Sequence, residues 1–229
     1  MVKNVILTGL VLIGLALNTG WSQSKFLGIE DFKEPLGIWF EAGNAKLNPD
    51  DEKKLLAIDG KGVLISEQGK TVNLVTKQKY GDIKVELDFM ISKKSNSGVY
   101  LQGRYEIQIY DSYGKENPVS WDCGGIYERY DGTKTYEGVP PLVNAAGKPG
   151  EWQHLKIKFN APRFNSKGEK IKNAIFKEVK LNGVIIHKNA EVTGPTASSL
   201  DNLEEPSGPL MLQGDHFSVA YRNIKLKKL

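Results

Sequence analysis

The 229-residue sequence predicts an all-β fold, an antiparallel sandwich of two sheets. Three features carry that prediction: strand-length segments in which apolar and polar residues alternate, Gly, Pro and Asn turn signals between them, and no sustained helical period beyond the N-terminal segment. In "DIKVELDFMI" (82–91), Ile83, Val85, Leu87, Phe89 and Ile91 point one way and Asp82, Lys84, Glu86 and Asp88 the other. That is a period of two with one wet face. "HLKIKF" (154–159) repeats it with Leu155, Ile157 and Phe159 inward, and "EVKLNGVIIH" (178–187) is a hairpin turning at Asn182-Gly183. Further strands are predicted at 63–67, 72–77, 124–128, 209–213 and 217–226. Three long connections, 112–122, 129–150 and 189–207, are expected to gather at the rim of one sheet and wall a pocket.

The start of the chain reads differently. "MVKNVILTGLVLIGLALNTGWSQS" has one cation at Lys3, an apolar run from Val5 to Leu17, and small residues Gly20 and Ser22 placed for cleavage. Residues 1–22 are therefore expected to be a secretory signal, the apolar run being short for a membrane span, and residues 26–229 to form one domain. Export follows, to a periplasm or the cell exterior, with no stable membrane insertion once the signal is removed. Cys123 is the only cysteine, so no intramolecular disulfide staples the fold, and it reads as a small buried hydrophobe. The formal net charge of +4, +3 without Lys3, is too weak to imply a nucleic-acid partner. The lysines of the tail "KLKKL" read as solvent-facing residues that discourage edge pairing.

The segment "SGVYLQGRYEIQIYDSYG" (97–114) carries the most chemistry. Read as a single strand to residue 110, it places Val99, Leu101, Tyr105, Ile107 and Ile109 on a core face and Tyr100, Gln102, Arg104, Glu106, Gln108 and Tyr110 on the other. Amides, a guanidinium and phenols are groups that hold hydroxyl-rich ligands, so this face reads as a sugar groove, the alternative being an ordinary solvated face. Glu106 and Asp111 lie five apart, which puts them on opposite faces of an ideal strand unless a bulge re-aims one. A paired-carboxylate hydrolase is thereby disfavoured. His216, in "QGDHFSVAYRNI" (213–224), is a candidate acid, base or metal ligand, with Gln213 and Asp215 beside it. On the strand that follows, Ala220, Arg222 and Ile224 oppose Val219 and Tyr221, and Arg222 is either a groove donor or a surface cation. Trp121, within a long loop, is the better candidate for a sugar platform; Trp152 serves equally as platform or core.

Taken together, "SNSGVYLQGRYEIQIYDSYG", "CGGIY", "KPGEWQHLKIKFNAPRF", "LNGVII", "GPLMLQGD" and "VAYRNI", in that order, resemble the bacterial 3-keto-disaccharide hydrolase family, also described as 3-keto-glucoside lyases and hydratases. The resemblance runs from about Phe32 to Leu226. It implies a concanavalin A-like jelly-roll sandwich and a small carbohydrate already oxidised at C3. The C3 ketone acidifies the C2 hydrogen, so elimination across C1–C2 needs a base, a stabiliser of the enolate and an acid for the leaving oxygen, with water adding back afterwards. On that reading Glu106 is base or metal ligand, His216 acid or base, and Arg104 and Arg222 are cations near the enolate or hydroxyls. Gln108 and Gln213 orient the ring, with Gln102, Tyr110, Asp111 and Trp121 as further binding residues. A divalent metal ion would polarise the ketone, with Glu106, Asp111 and His216 as candidate ligands. The rivals are a non-catalytic lectin-like carbohydrate-binding module and an endo-acting glycoside hydrolase of the same fold.

Overall fold

A computed structural model describes residues 24–66 and 71–229; the secretory signal expected at 1–22 lies outside the described residues. In chain order the strands are β1 (Lys25–Phe26), β2 (Trp39–Leu47), β3 (Leu55–Ser66), β4 (Leu74–Tyr80), β5 (Ile83–Ile91), β6 (Asn96–Leu101), β7 (Tyr105–Tyr110), β8 (Arg129–Tyr130) and β9 (Thr135–Tyr136). They continue as β10 (Gln153–Asn160), β11 (Arg163–Phe164), β12 (Lys170–Lys172), β13 (Ala174–Leu181), β14 (Val184–Val192), β15 (Gly208–Leu212) and β16 (Val219–Lys228). One 3₁₀ turn, Ile29–Asp31, is the only helical element among the described residues, and no helix there is long and apolar enough to cross a membrane.

The fold is the expected all-β jelly-roll sandwich, built mainly of two antiparallel sheets. The larger runs β14-β13-β10-β5-β16-β3-β2, with β1 also on β16; the smaller runs β4-β15-β6-β7. Single bridges from Ile107 to Ile126 and from Ile126 to Val139 extend the smaller sheet by a hairpin over 124–139, whose far end is the β8-β9 ribbon. The predicted strand at 124–128 is thus the near arm of that hairpin, joined by one bridge instead of a full ladder. Asn182 and Gly183 both take positive φ, 51° and 84°, and reverse the chain between β13 and β14 where the sequence places the turn.

Between the sheets lies one core. Ile83, Val85, Leu87, Phe89 and Ile91 of β5 meet Val99, Leu101, Tyr105, Ile107 and Ile109 of β6 and β7. Phe159 joins the layers: its ring centroid is 5.4 Å from that of Tyr105 in the smaller sheet and 5.3 Å from that of Phe176 beside it in the larger. Cys123 is buried, as expected of a small hydrophobe, and burial pushes its thiol pKa up to about 12.

Two sequence expectations fail here for local reasons. The segment 97–110 is a hairpin, not one strand: Gln102 and Gly103 both take positive φ, 57° and 67°, and the Arg104 N–H bonds the Leu101 carbonyl at 3.1 Å. A non-glycine residue at positive φ is strained, and Gln102 is held there by its side-chain amide, which donates to the carbonyls of Tyr80 (3.3 Å) and Pro206 (3.2 Å). In β16 the register slips between Arg222 and Lys225, with Asn223 at φ 53°, so Ile224 turns into the core with Val219 and Tyr221 instead of opposing them. The tail lysines end a strand flanked by β5 and β1, not a free edge.

Phe159→Ala removes the aromatic link between the layers. It is expected to lower stability by about 3–5 kcal/mol, read from the shift in urea unfolding midpoint at unchanged slope.

Candidate functional site

Three residues, 102 to 104, connect Leu101 to Tyr105, so side chains of equal parity keep to one face through the reversal. Tyr100 pairs with Glu106 and Gly98 with Gln108 on the side away from the core. Neighbouring segments extend these pairs into rows. Met211 pairs with Tyr100, and the Tyr127 N–H bonds the Glu106 carbonyl at 3.2 Å, giving Met211, Tyr100, Glu106, Tyr127. The Gln213 N–H bonds the Gly98 carbonyl at 2.9 Å, giving Gln213, Gly98, Gln108. The polar face of the sequence therefore exists, but it is roofed rather than wet: Glu106 is 2% exposed, Gln108 3% and Tyr100 1%.

Glu106 lies across Gly98. A Cβ at position 98 would collide with Glu106 Oε1, so the glycine is there for space and not for its backbone angle. Burial dominates the electrostatics of this carboxyl, raising its pKa to about 8, while the Tyr100 hydroxyl opposes the rise and the charge of Asp215 adds to it. The Tyr100 hydroxyl stands between the Glu106 carboxyl and the Ala197 carbonyl, the latter a long 3.5 Å away, which leaves the carboxyl its stronger partner. Burial, then the Glu106 charge, raises the pKa values of Tyr100 and Tyr127, so both phenols remain donors. The Gln213 amide oxygen is buried beside this face with no hydrogen-bond partner among the described residues.

The loop after β15 carries His216, whose Nδ1 is 2.8 Å from Asp215 Oδ1, both side chains exposed; the Asp215 charge reaches Glu106 and Tyr100. Glu106, Gln108, Gln213 and the His216 loop are thus brought to one face. The half-buried Tyr110 pairs with Asn96 at the end of the same hairpin, and Trp121 is 49% exposed on its loop.

Other sequence candidates go elsewhere. Arg104 is buried with its guanidinium on Asp201 (Nε to Oδ1, 3.0 Å), Glu205 (3.8 Å) and the Gln102 carbonyl (3.2 Å), clamping the 193–207 connection to the hairpin turn. Gln102 is the turn residue described above. Asp111 accepts the Lys94 N–H at 2.9 Å and lines a separate cavity with Lys93, Tyr113 and Lys148. Arg222 faces outward from the larger sheet, stacked 3.9 Å from the Trp152 ring centroid and bonded to Asp88. Its two sequence options resolve to the outer face, and Trp152 becomes the lid of a second apolar cluster with Ala42, Val63, Met90 and Ala220. Among the described residues no group of three or more His, Cys, Asp or Glu side chains is placed to hold a metal, and Asp111 does not join Glu106 and His216.

Sequence reasoning missed Gly98, Tyr127 and Thr196 as parts of the site. The Thr196 hydroxyl accepts the Glu106 N–H at 3.3 Å and donates to the Arg104 carbonyl at 3.0 Å. Tyr127 had a signal, since it alternates with the core residue Ile126; Thr196 is in an irregular loop and had none.

Two measurements check this arrangement. A folded-state pKa near 8, above the ordinary glutamate value, means the native state holds a proton the unfolded chain has released. Stability attached to Glu106 is therefore full below about pH 4.5 and is lost as pH rises toward 8 and beyond. Glu106→Gln, which carries no charge to bury, should gain on the wild type by on the order of 1 kcal/mol per pH unit across that window in denaturant titrations. Gly98→Ala should leave melting within a few degrees of wild type, because the flexible end of Glu106 can move aside, yet abolish that pH-dependent difference.

Comparison with known proteins completes the description. The model of the 3-keto-alpha-glucoside-1,2-lyase-like domain matches residues 20–227. A solved structure described as a "putative glycosyl hydrolase" from Parabacteroides distasonis ATCC 8503 is 28% identical, with 69% of each chain covered and a TM-score of 0.55. A second from the same organism, described in the same words, is 24% identical, covers 83% of this chain and 99% of its own with a TM-score of 0.50, and shows the shared fold. No curated protein matches the chain. With nearly the whole sequence matched, the chain belongs to the 3-keto-alpha-glucoside-1,2-lyase-like family, a family of carbohydrate-active enzymes.

Proposed function

We propose that the protein is an exported enzyme that cleaves 3-keto-glycosides or 3-keto-disaccharides by elimination across C1–C2, followed by hydration. The observation that carries this reading is Glu106, a buried carboxyl with a pKa near 8 on a polar sheet face, with Asp111 held elsewhere. Hydrolysis by paired carboxylates needs two such groups flanking one glycosidic bond. Elimination needs one base, and a base strengthened by burial suits the weakly acidic hydrogen beside a ketone.

In the forward direction, ionised Glu106 takes the C2 proton and the C2–H electrons form the enolate on C3. The protonated phenol of Tyr127, beside Glu106 in the same row, supplies a donor to the developing oxyanion, while Tyr100 keeps its hydroxyl on the Glu106 carboxyl. The enolate then collapses, C1=C2 forms, and the C1–O bond breaks with a proton delivered to the leaving oxygen. His216, oriented by Asp215 in the loop near Glu106, is the acid in this scheme. Water adds at C1, giving its proton to the now neutral His216, and the proton returns from Glu106 to C2, releasing 3-keto-glucose.

The test is incubation of the mature protein with a 3-keto-disaccharide and its unoxidised parent, with and without chelator, following sugar release and enone absorbance. Cleavage of the keto form alone is the expected result, and the chelator arm reads metal dependence. Saturable binding with no cleavage of either sugar would instead favour the lectin-like reading, and cleavage of the parent the endo-hydrolase reading.

For the wild type, kcat/KM should carry a rising limb centred near pH 8, since ionisation of Glu106 produces the base. Glu106→Gln should lose at least ~100-fold in turnover together with that rising limb. A falling limb near pH 8 that is present in the wild type and lost in Glu106→Gln would reverse the role of Glu106 from base to acid.

A further inference from the structure

We propose that the cavity beside Tyr127 is the subsite for the leaving sugar and that Arg129 is the residue that selects it, an inference that rests on the reaction proposed above.

The hairpin over 124–139 carries the outer face of the smaller sheet beyond β7. Its bridges set Tyr127 opposite Glu106 and Gly138 opposite Tyr127, while the pairing of Arg129 with Tyr136 puts Arg129 one step further along the same face. The side-chain space of Gly138 is filled by Ser120 and Glu128, and a cavity of about 320 Å³ opens beside Tyr127, between the hairpin and the 191–196 segment. That lies in the range of small-molecule sites, near its lower end. Tyr127, Arg129, Glu137, Gly138, Thr193 and Thr196 are among its walls. Two of them are tied to the backbone of Glu106: Tyr127 donates its N–H to the Glu106 carbonyl, and the Thr196 hydroxyl accepts the Glu106 N–H. A ring held in the cavity is therefore a neighbour of a ring held over Glu106.

Arg129 is arranged as a donor waiting for an acceptor. Its Nη1 bonds Glu137 at 3.0 Å and Thr193 at 2.7 Å, and its guanidinium carbon stands 5.0 Å from the Tyr136 ring centroid, which fixes the plane. Nη2 lies over Gly194, where any Cβ would collide with it. Nε is buried with no hydrogen-bond partner among the described residues. An unmatched buried N–H is unfavourable, and the Nε–Nη2 edge of a guanidinium is the side that receives two oxygens at once. Neighbouring hydroxyls of a sugar ring present such a pair. Glu137 and Glu191 also line the cavity and oppose an anionic ligand, so the leaving group is a neutral, hydroxyl-bearing ring and not a uronate.

The experiment compares wild type, Arg129→Ala and Arg129→Lys on a 3-keto-disaccharide and on methyl 3-keto-glucoside, whose leaving group is too small to reach the cavity. The readout is the ratio of the two kcat/KM values. Arg129→Ala should lower the disaccharide-to-methyl ratio by about 10- to 100-fold, the scale of a hydrogen bond from a charged donor. Arg129→Lys should lower it as well, because an ammonium cannot present the paired edge; it decides the matter if the alanine variant does not fold. A ratio that stays at the wild-type value in the folded variants overturns the subsite. If the wild type cleaves neither substrate, the reaction fails separately. Calorimetric titration with the unoxidised disaccharide then judges the cavity: tenfold weaker binding to Arg129→Lys sustains it, while equal binding, or none to the wild type, overturns it.

Discussion

Because β6 and β7 are joined by three residues, equal-parity side chains stay together through the reversal, and one hairpin both seals the core and builds the site. Val99, Leu101, Ile107 and Ile109 anchor it to the layer below, while Tyr100, Glu106 and Gln108 stand on its far side. A slip of one residue in this pairing would exchange the two sets, burying a carboxyl in the core and exposing the isoleucines. Core burial thus enforces the register, and the register positions the carboxyl. The strained turn that makes the arrangement work is fastened by Gln102 on the backbone of Tyr80 and Pro206, and by Arg104 on Asp201 and Glu205. These two residues serve the site by holding its frame.

The roof over Glu106 gives the carboxyl its chemistry. On an open strand it would titrate as an ordinary glutamate and be ionised at neutral pH; beneath the loops, water is removed and the charged form is disfavoured. The same loops bring the charge of Asp215 to it, and the absence of a side chain at Gly98 leaves it room. The burial that raises the pKa of this carboxyl also makes its ionised state a burden on the fold, a familiar opposition at buried ionisable groups.

Arg104 and Arg222 show where sequence reasoning stops. Both alternate with apolar residues in strand-like segments, and both were sensible candidates for a groove. One lies at a turn and closes a loop; the other is on the outside of the opposite sheet, against Trp152 and Asp88. Period two distinguishes the faces of one strand but does not say which sheet the strand joins, nor whether a polar face meets water or a loop. The bulge at Asn223 illustrates a second limit, since a single positive φ moves Ile224 to the other side of β16. Thr196 comes to Glu106 through a long-range bond, and local patterning contains no trace of it.

By itself, the sequence determined the all-β class, most strands, the Asn182-Gly183 reversal, the apolar face of β5 and the polar character of the face that carries Glu106, because alternation and turn chemistry are local properties of the chain. Six ordered motifs also sufficed to indicate the family. Only the tertiary structure decided that Glu106 is roofed and its proton held to higher pH, that Asp111 turns away from it, and that Tyr127 and Thr196 bond to its backbone beyond β7. Those outcomes depend on which distant segments exclude water and share hydrogen bonds, quantities that exist only once the two sheets and their loops have closed on one another.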